Sequence, residues 1–237
     1  MSNGIYTAAG GAIAQTNALD ATANNIANAS TPGYRADRIT FKEMLGKARS
    51  ADTTLVDTGA VSLDQAPGTI LPTGNPLDVA LQGDGYIGIQ TAQGPRYTRA
   101  GNFTLNDQRQ LVSADGNAVR GVGGSPISIP PEANDITIDH AGNVAADGAK
   151  VGQLEIVKFA PSQLKREGGT LFSASGQPQA GDPPMVQSGM LEGSNVNVVR
   201  GIVDLVKVSR TYESLMKMIQ GYHTVESQAA TTLGKPQ

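Results

Sequence analysis

The sequence of 237 residues contains no cysteine and no tryptophan. Without cysteine the chain has no disulfide framework, no thiolate metal site and no cysteine nucleophile. Its apolar runs fall well short of the roughly 18 residues that a membrane-spanning helix needs, so we expect no membrane insertion. The first residues also lack the basic and apolar regions of a secretory signal peptide. If the chain is exported, we therefore expect a route without a cleaved signal.

Charge is scarce as well, since 16% of the residues are charged and the formal net charge is −3. No cluster of lysine and arginine could neutralise a run of phosphates, which argues against a nucleic-acid partner. The chain is instead rich in glycine, with 29 residues, and it contains 13 prolines. Glycine usually makes up about 7% of a protein, so turns should be frequent here.

The first segment, residues 1–32, has a helical pattern over residues 3–28. Its apolar residues recur every seven positions, and a second line follows four positions further on, which is typical of a coiled coil. These residues are Ile5, Ala12, Leu19 and Ile26, followed by Ala9, Thr16 and Ala23. Gly4, Gly10 and Gly11 lower the helix propensity, so packing must stabilise this helix.

Asp20 is the only charged side chain from Ser2 to Tyr34. A surface helix normally carries charged residues on its outer face. Small uncharged side chains suit a helix that other protein covers on several sides, where a lone charge would need a partner. The segment should end near Pro32 and Gly33, because proline disfavours helix and glycine permits a turn.

Residues 33–76 contain many helix and strand breakers, and we interpret them as an extended, irregular arm. Residues 77–185 read as short strands separated by turns every 8 to 12 residues. Alternating apolar positions mark the strands, and Asp-Gly and Gly-Asn pairs mark the turns. This segment is predicted to be an all-β domain, sandwich-like or partly barrelled.

The last segment, residues 186–237, contains a second helical pattern, and Asn197 can cap its start. Its apolar stripe alternates steps of three and four residues: Leu205, Val208, Tyr212, Leu215, Ile219 and Tyr222. A stripe of this kind is often only the inward face of a core helix. The matching seam at the other terminus favours a coaxial coiled-coil pair, whose remaining faces copies of the same chain would cover. The predicted fold class is therefore α+β, with two long terminal helices, an extended arm and a central β domain.

Several short motifs suggest catalysis or ligand binding, but none is specific. Gly83 to Gly88 matches the G-x-G-x-x-G dinucleotide fingerprint, but the sequence after it predicts a strand and not the required helix. His140 is expected to be an exposed turn residue, and it shares no obvious site with His223. Asp139 and its neighbours lack the spacing of a calcium loop. We therefore predict no catalytic residue, no cofactor and no metal. The alternative to a structural subunit is a β-rich ligand-binding or enzymatic domain with capping helices. A secreted adhesin with a coiled-coil stalk is a third possibility.

Three ordered motifs resemble the flagellar basal-body rod and hook proteins. The run ANNIANASTPGYR at residues 23–35 looks like the rod signature of that family. TGNPLDVALQGDGY at residues 73–86, with YTRAGNF at 97–103, is similar to the opening of its shared β domain. LEGSNVN at residues 191–197 is similar to the segment that precedes its last helix. The residues that carry the resemblance at the two ends are Asn24, Asn25, Ala27, Asn28, Pro32, Gly33, Tyr34, Ser194, Asn195, Val196 and Asn197.

The resemblance implies a structural subunit that polymerises through its terminal helices into a helical drive shaft transmitting torque. The interface would use the ten helix positions: Ile5, Ala12, Leu19, Ile26, Leu205, Val208, Tyr212, Leu215, Ile219 and Tyr222. The resemblance also implies three kinds of partner: copies of the chain, other rod proteins and the flagellar type III export apparatus. It also implies a location in the basal-body rod, spanning the periplasm. The short arm favours a proximal rod protein, with a distal rod or hook subunit as the alternative.

Overall fold

The computed structural model describes residues 2–39, 42–45, 54–57, 61–181 and 183–233. These residues form two compact units. The helical unit comprises residues 1–27, 37–64 and 197–237, and the β unit comprises residues 28–36 and 65–196. The fold is α+β, as the sequence predicts.

The described residues of the helical unit form two long helices and two short strand pairs. Helix α1 spans Ser2–Ala27 and helix α2 spans Val198–Leu233. At about 1.5 Å per residue, the 36 residues of α2 extend over about 54 Å. The strands are β1 (Asp37–Ile39), β2 (Lys42–Leu45), β3 (Thr54–Asp57) and β4 (Val61–Leu63), in which β1 pairs with β4 and β2 with β3, both antiparallel.

Asn197 caps α2 as the sequence predicts. Its side-chain Oδ1 accepts a hydrogen bond of 3.0 Å from the backbone N–H of Arg200, and its carbonyl accepts one from Gly201. The bond from Arg200 satisfies one of the donors that the first helical turn leaves free, and the bond from Gly201 is the first regular bond of the helix. The helix begins one residue later, at Val198.

The two helices run antiparallel and lie in contact. A Cβ built on Gly4 would lie 2.8 Å from the Tyr222 hydroxyl, and one built on Gly11 would lie 3.3 Å from Leu215. At the other end of α1, a Cβ on Gly201 would lie 2.9 Å from the Ile26 side chain. Glycine in a helix costs about 1 kcal/mol relative to alanine. These three glycines mark the places where a large side chain of the facing helix approaches the backbone.

The described residues of the β unit form short antiparallel strands. They are β5 (Ile70–Pro72), β6 (Val79–Gln82), β7 (Tyr86–Thr91), β8 (Gly94–Thr98), β9 (Thr104–Leu105), β10 (Leu111–Val112), β11 (Ala118–Val119), β12 (Ile136–Ile138), β13 (Asn143–Ala146), β14 (Ala149–Gln153), β15 (Ile156–Val157), β16 (Leu164–Arg166), β17 (Leu171–Ala174), β18 (Met185–Ser188) and β19 (Met190–Glu192). A 3₁₀ turn at Pro161–Gln163 precedes β16.

Strand β7 is the centre of the largest sheet, whose order is β16-β17-β8-β7-β11-β10-β9, with β15 also paired to β7. Strands β12, β13 and β14 form a separate meander, while β6 pairs with β18 and β5 with β19. The inward residues of these strands and of their connecting segments form one apolar core, which includes Val79, Ile87, Ile89, Phe103, Leu111, Val144 and Val186. The central β-rich domain is therefore present, whereas its description as a sandwich or a barrel stays a prediction.

The described residues of the predicted arm, residues 33–76, contain strands β1 to β5, and only part of this range belongs to the helical unit. Strand β1 pairs with β4 inside this range, whereas β5 pairs with β19, more than one hundred residues away. Long-range partners of this kind leave no local periodicity. The finer division at residues 33, 77 and 186 stays a prediction.

Candidate functional site

The three family-like motifs converge on a cluster of buried charges in the β unit. Glu192, the last residue of β19, lies between Arg35 and Arg99. Its Oε1 is 2.8 Å from Arg35 Nη2, and its Oε2 is 3.5 Å from Arg99 Nε. The side chains of Arg35 and Glu192 are each 2% exposed. We call Arg35, Arg99 and Glu192 the charge cluster.

Backbone groups also bind the charge cluster. The N–H of Gly68 donates to Glu192 Oε1 at 2.9 Å, and Arg35 Nη1 donates to the carbonyl of Ala66. Arg99 Nη2 donates to the carbonyl of Gly83 at 2.7 Å. Buried ions require partners of this kind, because each loses the hydration that it has in water. The cluster therefore fixes the arm segment at residues 66–68 and the turn after β6.

Burial shifts the titration of two groups at the charge cluster. Desolvation lowers the pKa of the Arg99 guanidinium, and the nearby Glu192 carboxylate opposes that shift. Desolvation also raises the pKa of the Tyr86 phenol, whose hydroxyl donates to Gln65 at 3.1 Å. The pKa of Tyr86 thus moves further from neutral pH, and an ion pair holds Arg99, so neither group is poised for general acid or base catalysis. The arrangement is that of a structural clamp.

Gly33 and Tyr34 are held at the same place. Gly33 has φ +68°, and a Cβ on it would lie 2.2 Å from the backbone nitrogen of Ala100, so only glycine fits this turn. Its N–H donates to the carbonyl of Glu192 at 2.7 Å. Tyr34 is buried, and the Arg166 guanidinium stacks 4.5 Å from its ring centroid. Gly33 thus contacts Glu192 of the charge cluster, and Tyr34 contacts Arg166.

Asn195 joins the two terminal motifs within the β unit. Its Oδ1 accepts a hydrogen bond of 2.7 Å from the Ala36 N–H, and its backbone N–H donates to the carbonyl of Tyr34 at 3.3 Å. Its Nδ2 donates to the carbonyl of Ala66 at 2.9 Å. These contacts tie the segment after α1 in the sequence to the segment before α2.

The other motif residues have local roles. Asn25, in the helical unit, exchanges two hydrogen bonds of 2.8 Å with the backbone of Asp37. Asn28 accepts from the Thr31 N–H and hydroxyl, and Ser194 Oγ accepts from the Val196 N–H. Asn24 and Ala27 are exposed, Pro32 is half-buried, and Asn197 is the helix cap already described.

Sequence reasoning did not select the three members of the charge cluster as site residues. Arg35, Arg99 and Glu192 lie inside the motifs quoted above, in stretches with little other charge. A lone charge flanked by apolar and small residues is a signal for a buried ion, because unpaired ions are otherwise excluded from such places. That signal could have identified them.

The structure shows no catalytic arrangement in the part of the chain that it describes. No group of three or more histidine, aspartate or glutamate residues there could hold a metal ion. His140 is exposed, and its Nδ1 lies 2.8 Å from the carbonyl of Val186. Gly83 and Gly85 form the turn between β6 and β7, which confirms the expected turn between strands. Neither helix among the described residues is long and apolar enough to cross a bilayer.

Three of the ten predicted interface residues lie against glycines of the facing helix: Ile26, Leu215 and Tyr222. Ala12 is buried and the other nine are half-buried. The second line of the α1 seam turns partly to solvent, since Thr16 and Ala23 are exposed. Ala8 and Ala18 are buried instead. The role of these ten residues in contacts between subunits stays a prediction.

A second apolar surface lies on the helices and was not predicted. The first turns of α2 expose five large apolar side chains: Val198, Val199, Ile202, Val203 and Val206. We call these five residues the α2 stripe. Val199 is 74% exposed, and the others are 43% to 50% exposed. Contiguous exposed apolar residues on one helix are typical of an interaction surface. On α1, Tyr6 and Ile13 are exposed in the same way.

Family models match three regions of the chain in order. Residues 5–35 match the flagella basal body rod protein model, and residues 80–146 match the flagellar hook protein FlgE/F/G D1 domain. Residues 187–232 match the flagellar basal body rod FlgEFG protein C-terminal model. The three matches contain the three motifs described above or parts of them.

Curated relatives match over nearly the whole chain. The chain is 38% identical to the flagellar basal-body rod protein FlgF of Escherichia coli, covering 92% of this chain and 93% of the relative. It is 37% identical to FlgF of Salmonella typhimurium, with 97% of each chain covered. It is 39% identical to the flagellar basal-body rod protein FlgG of Agrobacterium fabrum, with 90% and 92% covered.

A β unit held by a buried clamp, together with two helices that have exposed apolar faces, defines a structural assembly protein. The chain belongs to the flagellar basal-body rod protein family. It is a structural subunit of the rod.

Proposed function

We propose that the helical unit is the assembly element of this rod subunit. Helices α1 and α2 would act as a coaxial coiled-coil pair, and the helices of neighbouring copies or related rod proteins would cover their outer faces. Repetition of one contact between different surfaces would build an open helical shaft that transmits torque. As a member of the rod family, the chain is located in the flagellar basal body and assembles with other rod proteins.

The α2 stripe is the observation that supports this proposal most directly. Complete burial of a valine or isoleucine side chain stabilises a protein by about 1.5 to 3 kcal/mol. Five such residues, each about half exposed, therefore leave about 5 kcal/mol available to a partner that covers them. A rod subunit repeats this contact at each step of the polymer.

We further propose that the chain is a proximal rod subunit, exported by the flagellar type III apparatus into a rod that spans the periplasm. The brief segment between Gly33 and Gly74 supports the proximal over the distal position, because the family's distal rod protein carries a long insertion there. Asp147 and Gly148 form an exposed turn between β13 and β14. Labelling an insertion in this turn, followed by imaging of isolated basal bodies, would locate the subunit. A label outside the proximal rod would contradict this assignment.

The assembly proposal can be tested with Val203→Asp, which places a charge in the α2 stripe. Val203 is 49% exposed, so the free subunit should still fold, whereas burial of an unpaired carboxylate at an interface is costly. We expect export to continue, rods to be lost and swimming to stop. The matched control is Val122→Asp, at a valine of the β unit that is 68% exposed.

Normal swimming and normal rod incorporation of the Val203→Asp variant would refute a role of the stripe in assembly. Loss of motility in both variants would indicate a general effect of the new charge and would equally contradict the proposal. Circular dichroism of both purified variants checks that each retains its helix and strand content.

A further inference from the structure

The outer face of α1 carries two apolar residues and one acid at equal intervals. Tyr6, Ile13 and Asp20 are seven residues apart, which is close to two helical turns, so they share one face. Tyr6 is 64% exposed, Ile13 is 61% exposed, and Asp20 is exposed as well. We call these three residues the α1 ridge.

A groove lies elsewhere on the same helical unit. It is lined by Leu19, Leu205, Val206, Ser209, Arg210 and Glu213. The apolar members form one end of this lining along α2, and the two charged residues lie further along the helix. Leu19 is six residues from Ile13, so the two positions lie about 120° apart around the axis of α1. The chain therefore cannot insert its own ridge into its own groove.

The ridge and the groove match in spacing. Val203 lies about one turn of α2 before Val206 and is not itself part of the groove lining. Val203, Val206 and Arg210 follow one another at intervals of three and four residues, so they share a face. Val203 and Arg210 are seven residues apart, as are Ile13 and Asp20. At about 1.5 Å per residue, both separations span about 10 Å. A helix that runs parallel to α2 could thus place an apolar side chain and an acid opposite their counterparts at once.

The charges of the two surfaces are complementary. Asp20 is the single acid of the ridge, and Arg210 is the single cation of the groove lining. None of the ion pairs within the described residues includes either side chain. Glu213 lies one turn beyond Arg210, and it would repel Asp20 if the register slipped by one turn towards it. Opposite charges at the correct register and like charges at the wrong one select a single alignment.

We propose that the α1 ridge of one copy inserts into the groove of a second copy, with Ile13 over Val203 and Val206 and with Asp20 beside Arg210. This inference rests on the proposed assembly through the helical unit and specifies which surfaces meet. Because the ridge and the groove are different surfaces, each bound copy presents a new free groove or a new free ridge. Contacts of this type continue into an open polymer and do not close a dimer.

The test is a charge exchange in the full chain. Asp20→Lys and Arg210→Glu should each raise the protein concentration needed for polymer formation by about tenfold, because each places like charges opposite one another. The double variant restores opposite charges at the same register, so polymer formation should return to within about threefold of the unaltered chain. The measurements are sedimentation of the purified protein and recovery of rods from cells. Lys150→Glu, a charge reversal on an exposed residue of the β unit, is the matched control.

Unaltered assembly of both single variants would overturn the inference, and so would a double variant that assembles no better than the single ones. Failure of this pairing is distinguishable from failure of the proposed function. If Val203→Asp blocks assembly while the charge variants assemble normally, the helical unit still mediates assembly, but through another register. If all of these variants assemble normally, both proposals are wrong.

Discussion

Removal of the Glu192 carboxylate should destabilise the β unit severely. In Glu192→Ala the Arg35 and Arg99 guanidinium groups lose their common counterion, while both side chains stay almost fully buried. The Gly68 N–H also loses its acceptor. Breaking a buried ion pair by removing one partner costs about 3 to 5 kcal/mol. The orphaned N–H would cost about 1 to 3 kcal/mol if it stayed dry. The two costs share one site, so we expect a loss of about 4 kcal/mol.

A loss of this size is a large part of the roughly 5 to 15 kcal/mol that stabilises a typical domain. With a urea m-value of about 2 kcal/mol per molar, the unfolding midpoint of the β unit should fall by about 2 M. Near-ultraviolet circular dichroism is a suitable probe, because Tyr34 and Tyr86 are buried in this unit and the chain has no tryptophan. The helical unit need not unfold in the same transition.

The control for this experiment is Glu167→Ala. Glu167 pairs with Arg96 at 2.5 Å, but its side chain is 38% exposed. Water can replace the lost partner there, so we expect little change in the midpoint. Equal midpoints for Glu192→Ala and the unaltered chain would refute the view that the charge cluster holds the β unit together. Equal shifts for both variants would show that burial is not the deciding factor.

Two further predictions concern the helix contact and an acid-sensitive turn. Gly201→Leu should lower helix content and thermal stability, because a Cβ there already meets Ile26. Gly221→Leu should stabilise the helix by up to about 1 kcal/mol, because no atom of the described residues lies within 4 Å of a Cβ at that position. Similar behaviour of the two variants in circular dichroism would contradict close helix packing. Hydrogen bonds from the Asn143 side chain and backbone lower the pKa of Asp139 below its ordinary value of 3.8. The contribution of this turn to stability is therefore complete above about pH 4 and is lost as pH falls through the lower folded-state pKa. Asp139→Asn should abolish that part of the acid dependence in urea titrations, and an unchanged pH profile would count against it.

Both helices could be predicted from the sequence because their information is local. The cap at Asn197 depends on adjacent residues, and the predicted apolar positions from Leu205 to Tyr222 recur every three or four residues. Alternation along strands such as Ile136–Ile138 is equally local. The family resemblance depends on the same kind of information, because its motifs are contiguous stretches of chain. The glycine turn at Gly83 was also correctly predicted to join two strands, since β6 precedes it and β7 follows it.

The charge cluster could not be predicted in the same way. Arg35, Arg99 and Glu192 are separated by 64 and 93 positions in the sequence, and only folding of the β unit brings them within hydrogen-bonding or ion-pair distance. The pairing of β5 with β19 could not be predicted for the same reason. Pairing across such distances leaves no periodic pattern in either strand.

The sequence by itself determined that this protein has a long helix towards each end, the first with a single charged residue, and a turn-rich β segment between them, because helix and strand periodicity are local properties. Only the tertiary structure decided which face of each helix is covered within the chain. Gly4 and Gly11 direct one face of α1 against α2, and this choice leaves Tyr6, Ile13 and the α2 stripe in solvent. The physical reason is that the exposure of a side chain depends on what packs against it, and a helical period alone does not specify the partner.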